Sequence, residues 1–431
     1  MKLNLRDLLK DKFVRGTFIL TVVSFLSAAL NYLVHPILTR HLSIPEYGDY
    51  QALLSFLTIL GIVGAVVLTA LTKEFSVLAL SAPEEIKSLR RRASTRLFYV
   101  GLLLFILVFI FSGFLNKLFK ISHSSTLIIA ALSLLYIFPL IVNRALLTGR
   151  QNFPALSLNN FLDALSRLVL IVLLVVLWPF GLFGAAIALG LNSLIALGLS
   201  FYQIKKLDLP RESKPFSGSL KSLSGYAFLV LWFTALGQFF YNYDMLFVKS
   251  FFSPEQAGLY GALLTIGRII FFVGGAVPLV MFPVIANLKE DKTLRRHAVL
   301  IKSLGLMFAL ALPTGAVIAL FPEFVIKILV GVKYLSIAPY LPIFSLTILF
   351  LTLLTVLSQY FLALAKRRGL LVLSLAAVME IICLFLFHQS IWQIIYSLCA
   401  VFGGASLILM VLVFYDYRDI KKKLNLYGEK N

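Results

Sequence analysis

Apolar residues in this chain run in blocks of roughly twenty, parted by short polar intervals, from about Thr17 to about Phe414. A helix rising ~1.5 Å per residue needs about 20 residues to cross ~30 Å of hydrocarbon. The pattern therefore predicts about twelve transmembrane helices, at 16–38, 50–72, 95–115, 124–147, 155–177, 179–202, 224–249, 257–286, 298–320, 338–364, 369–388 and 390–414. The longest polar connectors on one side are Lys73–Ser94 and Gln203–Leu223; on the other the longest is Phe321–Ala338.

Composition agrees with that pattern. Hydrophobic residues make up 60% and charged residues 13%, against about 45–50% and about 25% in soluble domains. A net charge of +20 on a soluble chain would point to nucleic acid. Here the basic residues lie between the apolar blocks, so they read as topology signals and headgroup contacts, with membrane lipid and not nucleic acid as the partner. With the N-terminus in the cytoplasm, the cytoplasmic segments hold 31 of the 39 Lys and Arg. The outer segments hold six, Arg40, Lys117, Lys120, Lys249, Lys327 and Lys333, and two, Arg167 and Arg268, lie deep in helices. That asymmetry predicts a multi-pass protein of the cell (inner or plasma) membrane with both termini cytoplasmic. The N-terminal basic residues lead into an apolar run with no clear cleavage site, which reads as a retained first helix. Cys383 and Cys399 both fall in apolar runs, so neither a disulfide framework nor a metal site is implied, and no cofactor is expected.

The chain repeats itself. Asn31-Tyr32 followed by Ser43-Ile44-Pro45-Glu46-Tyr47-Gly48-Asp49-Tyr50-Gln51-Ala52-Leu53-Leu54 is echoed by Asn242-Tyr243 followed by Ser253-Pro254-Glu255-Gln256-Ala257-Gly258-Leu259-Tyr260-Gly261-Ala262-Leu263-Leu264. The match falls at the same helix junction in each half. Six helices per half make parallel repeats about an axis along the membrane normal, an arrangement whose sites sit at the repeat interface in transporters. The expected organisation is an N-terminal lobe at 1–202, a polar cytoplasmic linker at 203–223 and a C-terminal lobe with a basic tail at 224–431. Individually, the Ser-Pro-Glu residues read as chain-turning and the glycines as allowing close approach.

Leu38-Thr39-Arg40-His41-Leu42-Ser43-Ile44-Pro45-Glu46-Tyr47-Gly48-Asp49-Tyr50 resembles the first loop of Wzx-type oligosaccharide flippases, polysaccharide biosynthesis proteins of the multidrug and oligosaccharidyl-lipid exporter superfamily. Tyr243-Asp244 before the Pro254–Tyr260 turn, Met281-Phe282-Pro283 and Gly331-Val332-Lys333-Tyr334 fit the same family. The resemblance implies an all-α fold of two six-helix lobes around a central cavity, working by alternating access. It also implies a substrate, an undecaprenyl-pyrophosphate-linked oligosaccharide moved from the inner to the outer leaflet for surface polysaccharides such as O-antigen, with polysaccharide polymerase machinery as a neighbour.

Charges deep in a bilayer cost roughly 2.5–3.5 kcal/mol each on insertion scales, so those present face a cavity or a partner. Arg268 falls near the midplane of the eighth helix with no acid three or four residues away. It reads either as a cavity cation, whose guanidinium fork suits a pyrophosphate, or as half of a structural ion pair. Asp163 and Arg167 share a helix face at i, i+4, which suits mutual neutralisation; Asn159 and Asn160 extend that face into a polar stripe such as lines water. Gln238, Tyr241, Asn242, Tyr243 and Asp244 would suit a sugar, or an interfacial aromatic belt. Glu380, deep in the eleventh helix, is a proton-coupling site or a neutral hydrogen-bonding group. Arg90, Arg91 and Arg92, with Arg96, would attract a pyrophosphate headgroup or ordinary anionic lipid. Arg144 reads as a snorkelling residue, Lys73 and Glu74 as interface markers, and His35-Pro36 as a kink.

Two other functions fit such a chain. A proton- or sodium-coupled multidrug exporter of the same superfamily would rely on Asp163, Asp244 and Glu380; the deep arginines favour an anionic substrate instead. A membrane glycan polymerase or ligase would need an acid/base constellation or a sizeable outer domain, and the short outer segments offer neither. The chain holds no G-x-x-x-x-G-K-[ST], H-E-x-x-H or C-x-x-C, which points to a transporter rather than an enzyme.

Overall fold

A computed structural model describes residues 12–210, 214–217, 224–288 and 293–428. Lys2, Arg6 and Lys10 of the basic N-terminus lie outside the described residues. Those described are almost entirely helical, with no strand among them. Eleven of their helices are long and apolar enough to cross a membrane.

The chain divides into two compact units, Met1–Ala227 and Phe228–Asn431. In unit 1, α1 spans Lys12–His41, α2 Ile44–Leu60, α3 Ile62–Ser81, α4 Ile86–Ile110, α5 Ser112–Phe119, α6 Ser124–Ala131, α7 Ser133–Gly149, α8 Phe153–Ile171 and α9 Gly181–Lys205. Helix α10, Ser224–Phe251, leads into unit 2, which continues with α11 Pro254–Ala286, α12 Thr293–Leu320, α13 Pro322–Leu329, α14 Leu341–Ala363, α15 Arg367–Leu386 and α16 Ile391–Gly428. All twelve expected spans are helical. Helix α10 is not one of the eleven most apolar; it carries the polar run from Gln238 to Asp244.

Several expected loops are instead helical. The Lys73–Ser94 connector belongs to α3, a 3-10 turn at Pro83–Glu85, and α4. The span expected at 50–72 breaks at Gly61, whose N–H closes α2 onto Leu57 and Ile59 before α3 begins. The span expected at 155–177 ends in a π-helical turn, Val172–Leu177. The Phe321–Ala338 segment forms α13 and a 3-10 stretch, Val332–Tyr340. In each case the backbone satisfies its hydrogen bonds internally by continuing as helix.

The repeated junctions fold alike. Ser43 and Ser253 each cap a helix, their hydroxyls accepting from the N–H of Glu46 and Gln256, whose side chains accept from the capping serine's N–H. These are capping boxes followed by a proline in the first turn, where its missing N–H costs nothing. Helix α1 runs on through Pro36, with His35 held by the Tyr47 hydroxyl at 3.1 Å.

In unit 1, α7 packs against α3, α4 and α9. One core there joins Leu71, Phe75 and Leu78 of α3, Leu89 of α4, Val142 and Leu146 of α7, and Ile204 of α9. Phe216 joins the same core, so part of the expected 203–223 linker is seated on unit 1, and residues 203–205 are still helix. In unit 2, α14 packs on α11, α12, α15 and α16. Gly267 permits the close α11–α14 approach: a Cβ there would stand 2.6 Å from the Phe344 ring.

Candidate functional site

The next residue along α11 is Arg268. It is 6% exposed, and its guanidinium carbon lies 4.6 Å from the centroid of the Tyr241 ring on α10. A cation over an aromatic face is attracted by the ring's quadrupole. Arg268, Tyr241 and Asp244 line one small pocket within unit 2, closed by Phe271 of α11, Phe344 and Thr347 of α14 and Phe402 of α16. Its cavity is about 10 Å³, the room of about one water.

Asp244 is buried and accepts from the Tyr260 hydroxyl and from the Met245 N–H, both at 2.7 Å. Tyr260 is the tyrosine of the second repeat, which sequence reading gave no role at a site. Glu380 of α15 is fully buried, and neither of its carboxyl oxygens finds a hydrogen bond among the described residues. It lies within electrostatic reach of Asp244, Tyr243 and Tyr260. Residues read from three separate helices, Tyr241 and Asp244, Arg268, and Glu380, thus form one charged neighbourhood with Tyr260. Asn242 and Gln238 behave differently: the Asn242 amide donates back to the Gln238 carbonyl at 3.0 Å and to its side chain at 3.3 Å, one turn away on α10. Tyr243 stacks on Phe239 at 4.5 Å.

Unit 1 pairs one of its membrane-helix arginines with an acid. Asp163 does not pair with Arg167 as its spacing suggested. Its carboxylate receives Arg144 at 2.9 Å and Asn192 at 2.8 Å. Arg144 therefore does not snorkel; it turns to α8 and also donates to Asn159 at 2.8 Å. Asn159 in turn donates to the Ala196 carbonyl and to Gln203, which donates to the Ala155 carbonyl. The α7–α8 hairpin presents Arg144 to Asp163 with better geometry than one helical turn offers Arg167, whose buried Nε has no hydrogen bond among the described residues.

The basic run at the start of α4 splits. Arg90 is half-buried and reaches Asn143 at 3.5 Å, which donates to Ser200 at 2.8 Å; Arg91 and Arg92 are exposed. No group of three or more His, Cys, Asp or Glu side chains among the described residues is placed to hold a metal.

A family model described as "Polysaccharide biosynthesis protein" matches residues 13–289, well over half of the 431. The chain belongs to that family. Its fold is that of transporters of the MOP superfamily. The lipid II flippase MurJ in an inward closed conformation matches with a TM-score of 0.71 and 16% identity, over 92% of this chain and 87% of that one. An inward-facing multidrug resistance MATE transporter matches with 0.74 and 14%, over 91% and 94%. The MATE multidrug transporter DinF-BH in complex with R6G matches with 0.71 and 15%, over 94% and 96%. No curated protein matches in sequence. Family members and fold neighbours thus meet in a multi-pass membrane protein of about twelve helices.

Proposed function

We propose that this chain is a flippase that carries an undecaprenyl-pyrophosphate-linked oligosaccharide from the cytoplasmic to the outer leaflet by alternating access. The observation that carries the reading is Arg268: a buried cation in a membrane helix, seated over Tyr241 and lining a pocket with Asp244. A guanidinium over an aromatic face suits a diphosphate, which it can bind through two parallel hydrogen bonds once the one-water pocket has widened in the transport cycle. Membership of the polysaccharide biosynthesis family supports a glycan cargo, and the name of the similar MurJ structure, a lipid II flippase, supports a lipid-linked one. In this reading Tyr241 and Asp244 orient Arg268, Gln238 and Asn242 offer amides toward sugars, and Asp163 with Arg167 lies on the N-terminal lobe's share of the path. The lobes are 1–202 and 224–431, both termini are cytoplasmic, and the polymerase that consumes the product is the adjoining machinery.

The burial of Asp244 and Glu380 within electrostatic reach of each other favours a second reading, a proton- or sodium-coupled exporter of the same superfamily, since two neighbouring buried carboxyls can exchange a cation. Liposomes containing the purified chain and a fluorescent undecaprenyl-pyrophosphate oligosaccharide separate the two. Protein-dependent movement of the lipid to the opposite leaflet is expected. No movement of several such lipids, together with ion-dependent efflux of cationic dyes, would replace the flippase with the exporter.

A further inference from the structure

Unit 1 holds a cleft of about 950 Å³ between the start of α4 and the end of α9. Lys87, Arg90, Arg91, Arg92 and Arg96 of α4 and Lys205 of α9 line it, and no acidic residue among the described residues does. Its other wall is apolar, made by Phe201, Ile204, Leu207 and Leu209. None of this belongs to the Arg268 pocket, which lies wholly in unit 2.

The cleft is built into the fold. Ile204 on its wall is part of the unit 1 core with Leu89 and Phe216, and Arg90 is fixed toward Asn143. Ser88, another lining residue, accepts the Phe216 N–H at 3.2 Å. Two neighbouring acids among the described residues are committed elsewhere: Glu84 pairs with Lys214 at 3.1 Å, and Glu85 accepts the N–H and hydroxyl of Ser217 at 3.1 and 2.9 Å. Asp208, between two lining leucines, does not line the cleft. Six cations among the described residues line one space large enough for a small ligand. One turn further along each helix, Phe98, Tyr99 and Phe201, Tyr202 are exposed aromatics on membrane-length segments. Positive charge on one side and apolar surface on the other is the chemistry of a lipid headgroup and its chain, and basic pockets between membrane helices hold anionic headgroups.

We propose that the α4–α9 cleft is a binding site for a membrane-anchored ligand carrying two phosphates. The arginine forks take the phosphates, and the Phe201–Leu209 wall takes the first carbons of the lipid chain. Two sources share that chemistry, a diphosphatidyl membrane lipid and a prenyl pyrophosphate. The proposal needs only the membrane placement of the helices and not the transport reading.

Native mass spectrometry of the purified full-length chain tests it, with four probes: a diphosphatidyl lipid, a prenyl pyrophosphate, phosphatidylethanolamine and inorganic pyrophosphate. Each titration is repeated in an Arg268→Ala background, so that a lipid held in unit 2 is not counted. The expected result is retention of one of the two diphosphate lipids over phosphatidylethanolamine; which one is retained names the source. Arg91→Ala/Arg96→Ala, both exposed side chains, weakens that retention about 30-fold, as does Lys205→Glu on the opposite helix, and the charge-matched control Arg367→Ala/Arg368→Ala leaves it within about twofold. Equal retention by the cleft variants, the same loss in the control, or inorganic pyrophosphate binding as tightly as either lipid would overturn the proposal.

Discussion

In unit 1, Arg144 meets Asp163 at 2.9 Å and Asn159 at 2.8 Å, inside a chain of amides that runs to Asn192 and Gln203. In unit 2, Arg268 lies over the Tyr241 ring and faces a pocket, while the nearby Asp244 is occupied by Tyr260 and the Met245 amide. Both arginines sit in membrane-length surroundings that penalise charge. The first meets that penalty with a carboxylate and hydrogen bonds, and its energy is spent on holding α7, α8 and α9 together. The second meets it with the Tyr241 ring and the neighbouring Asp244, on the wall of a pocket with room for about one water. A deep charge therefore marks a site only after its partners are known.

The comparison breaks most sharply at Asp163. Asp163→Asn leaves Arg144 without its counter-charge in a half-buried pair, and losing a hydrogen bond between charged groups costs about 1.5–3 kcal/mol. A large fall in melting temperature in detergent is expected; an unchanged value would mean that the pair does not hold unit 1. Tyr260→Phe removes the hydroxyl from Asp244 and is expected to cost about 1–3 kcal/mol, read by the same melt. If it proves silent, Asp244 does not depend on Tyr260 for its position. Ser43→Ala and Ser253→Ala remove equivalent caps in the two repeats, each costing about 1 kcal/mol; unequal losses would show that the two junctions, alike in geometry, carry different loads. The smallest effect is expected from Glu380→Gln, which keeps shape and hydrogen-bonding capacity. Lipid transport should stay within about twofold, whereas loss of dependence on a proton gradient would make Glu380 a coupling residue.

Hydropathy made the twelve spans legible, because a bilayer forces every backbone polar group to be satisfied within a helix or barrel. It did not mark the break at Gly61, the π turn after Ile171 or α13, since a helix can change pitch or direction without any change in apolar content. Arg268, Tyr241, Asp244 and Glu380 were legible as polar groups inside apolar runs. The Asp163 pairing was misread because i, i+4 spacing is a local signal, whereas Arg144 arrives from the neighbouring helix and Asn192 from a third. Asn192 and Gln203 could have been flagged by the same rule that found Arg268, being amides within the α9 run. The α4–α9 cleft was half visible: the arginine run is in the sequence, but Lys205 and the apolar wall join it only through the fold.

The account rests most heavily on Arg268, and reconstituted transport of the fluorescent lipid-linked oligosaccharide by wild type, Arg268→Ala and Arg268→Lys tests it directly. The expected result is transport reduced at least about tenfold in Arg268→Ala, equivalent to one lost charge-assisted contact of about 1.4 kcal/mol or more. Partial recovery is expected in Arg268→Lys, which keeps the charge but loses the fork, and all three proteins should melt within a few degrees of one another. Equal transport by all three would contradict the account and remove Arg268 from the substrate path.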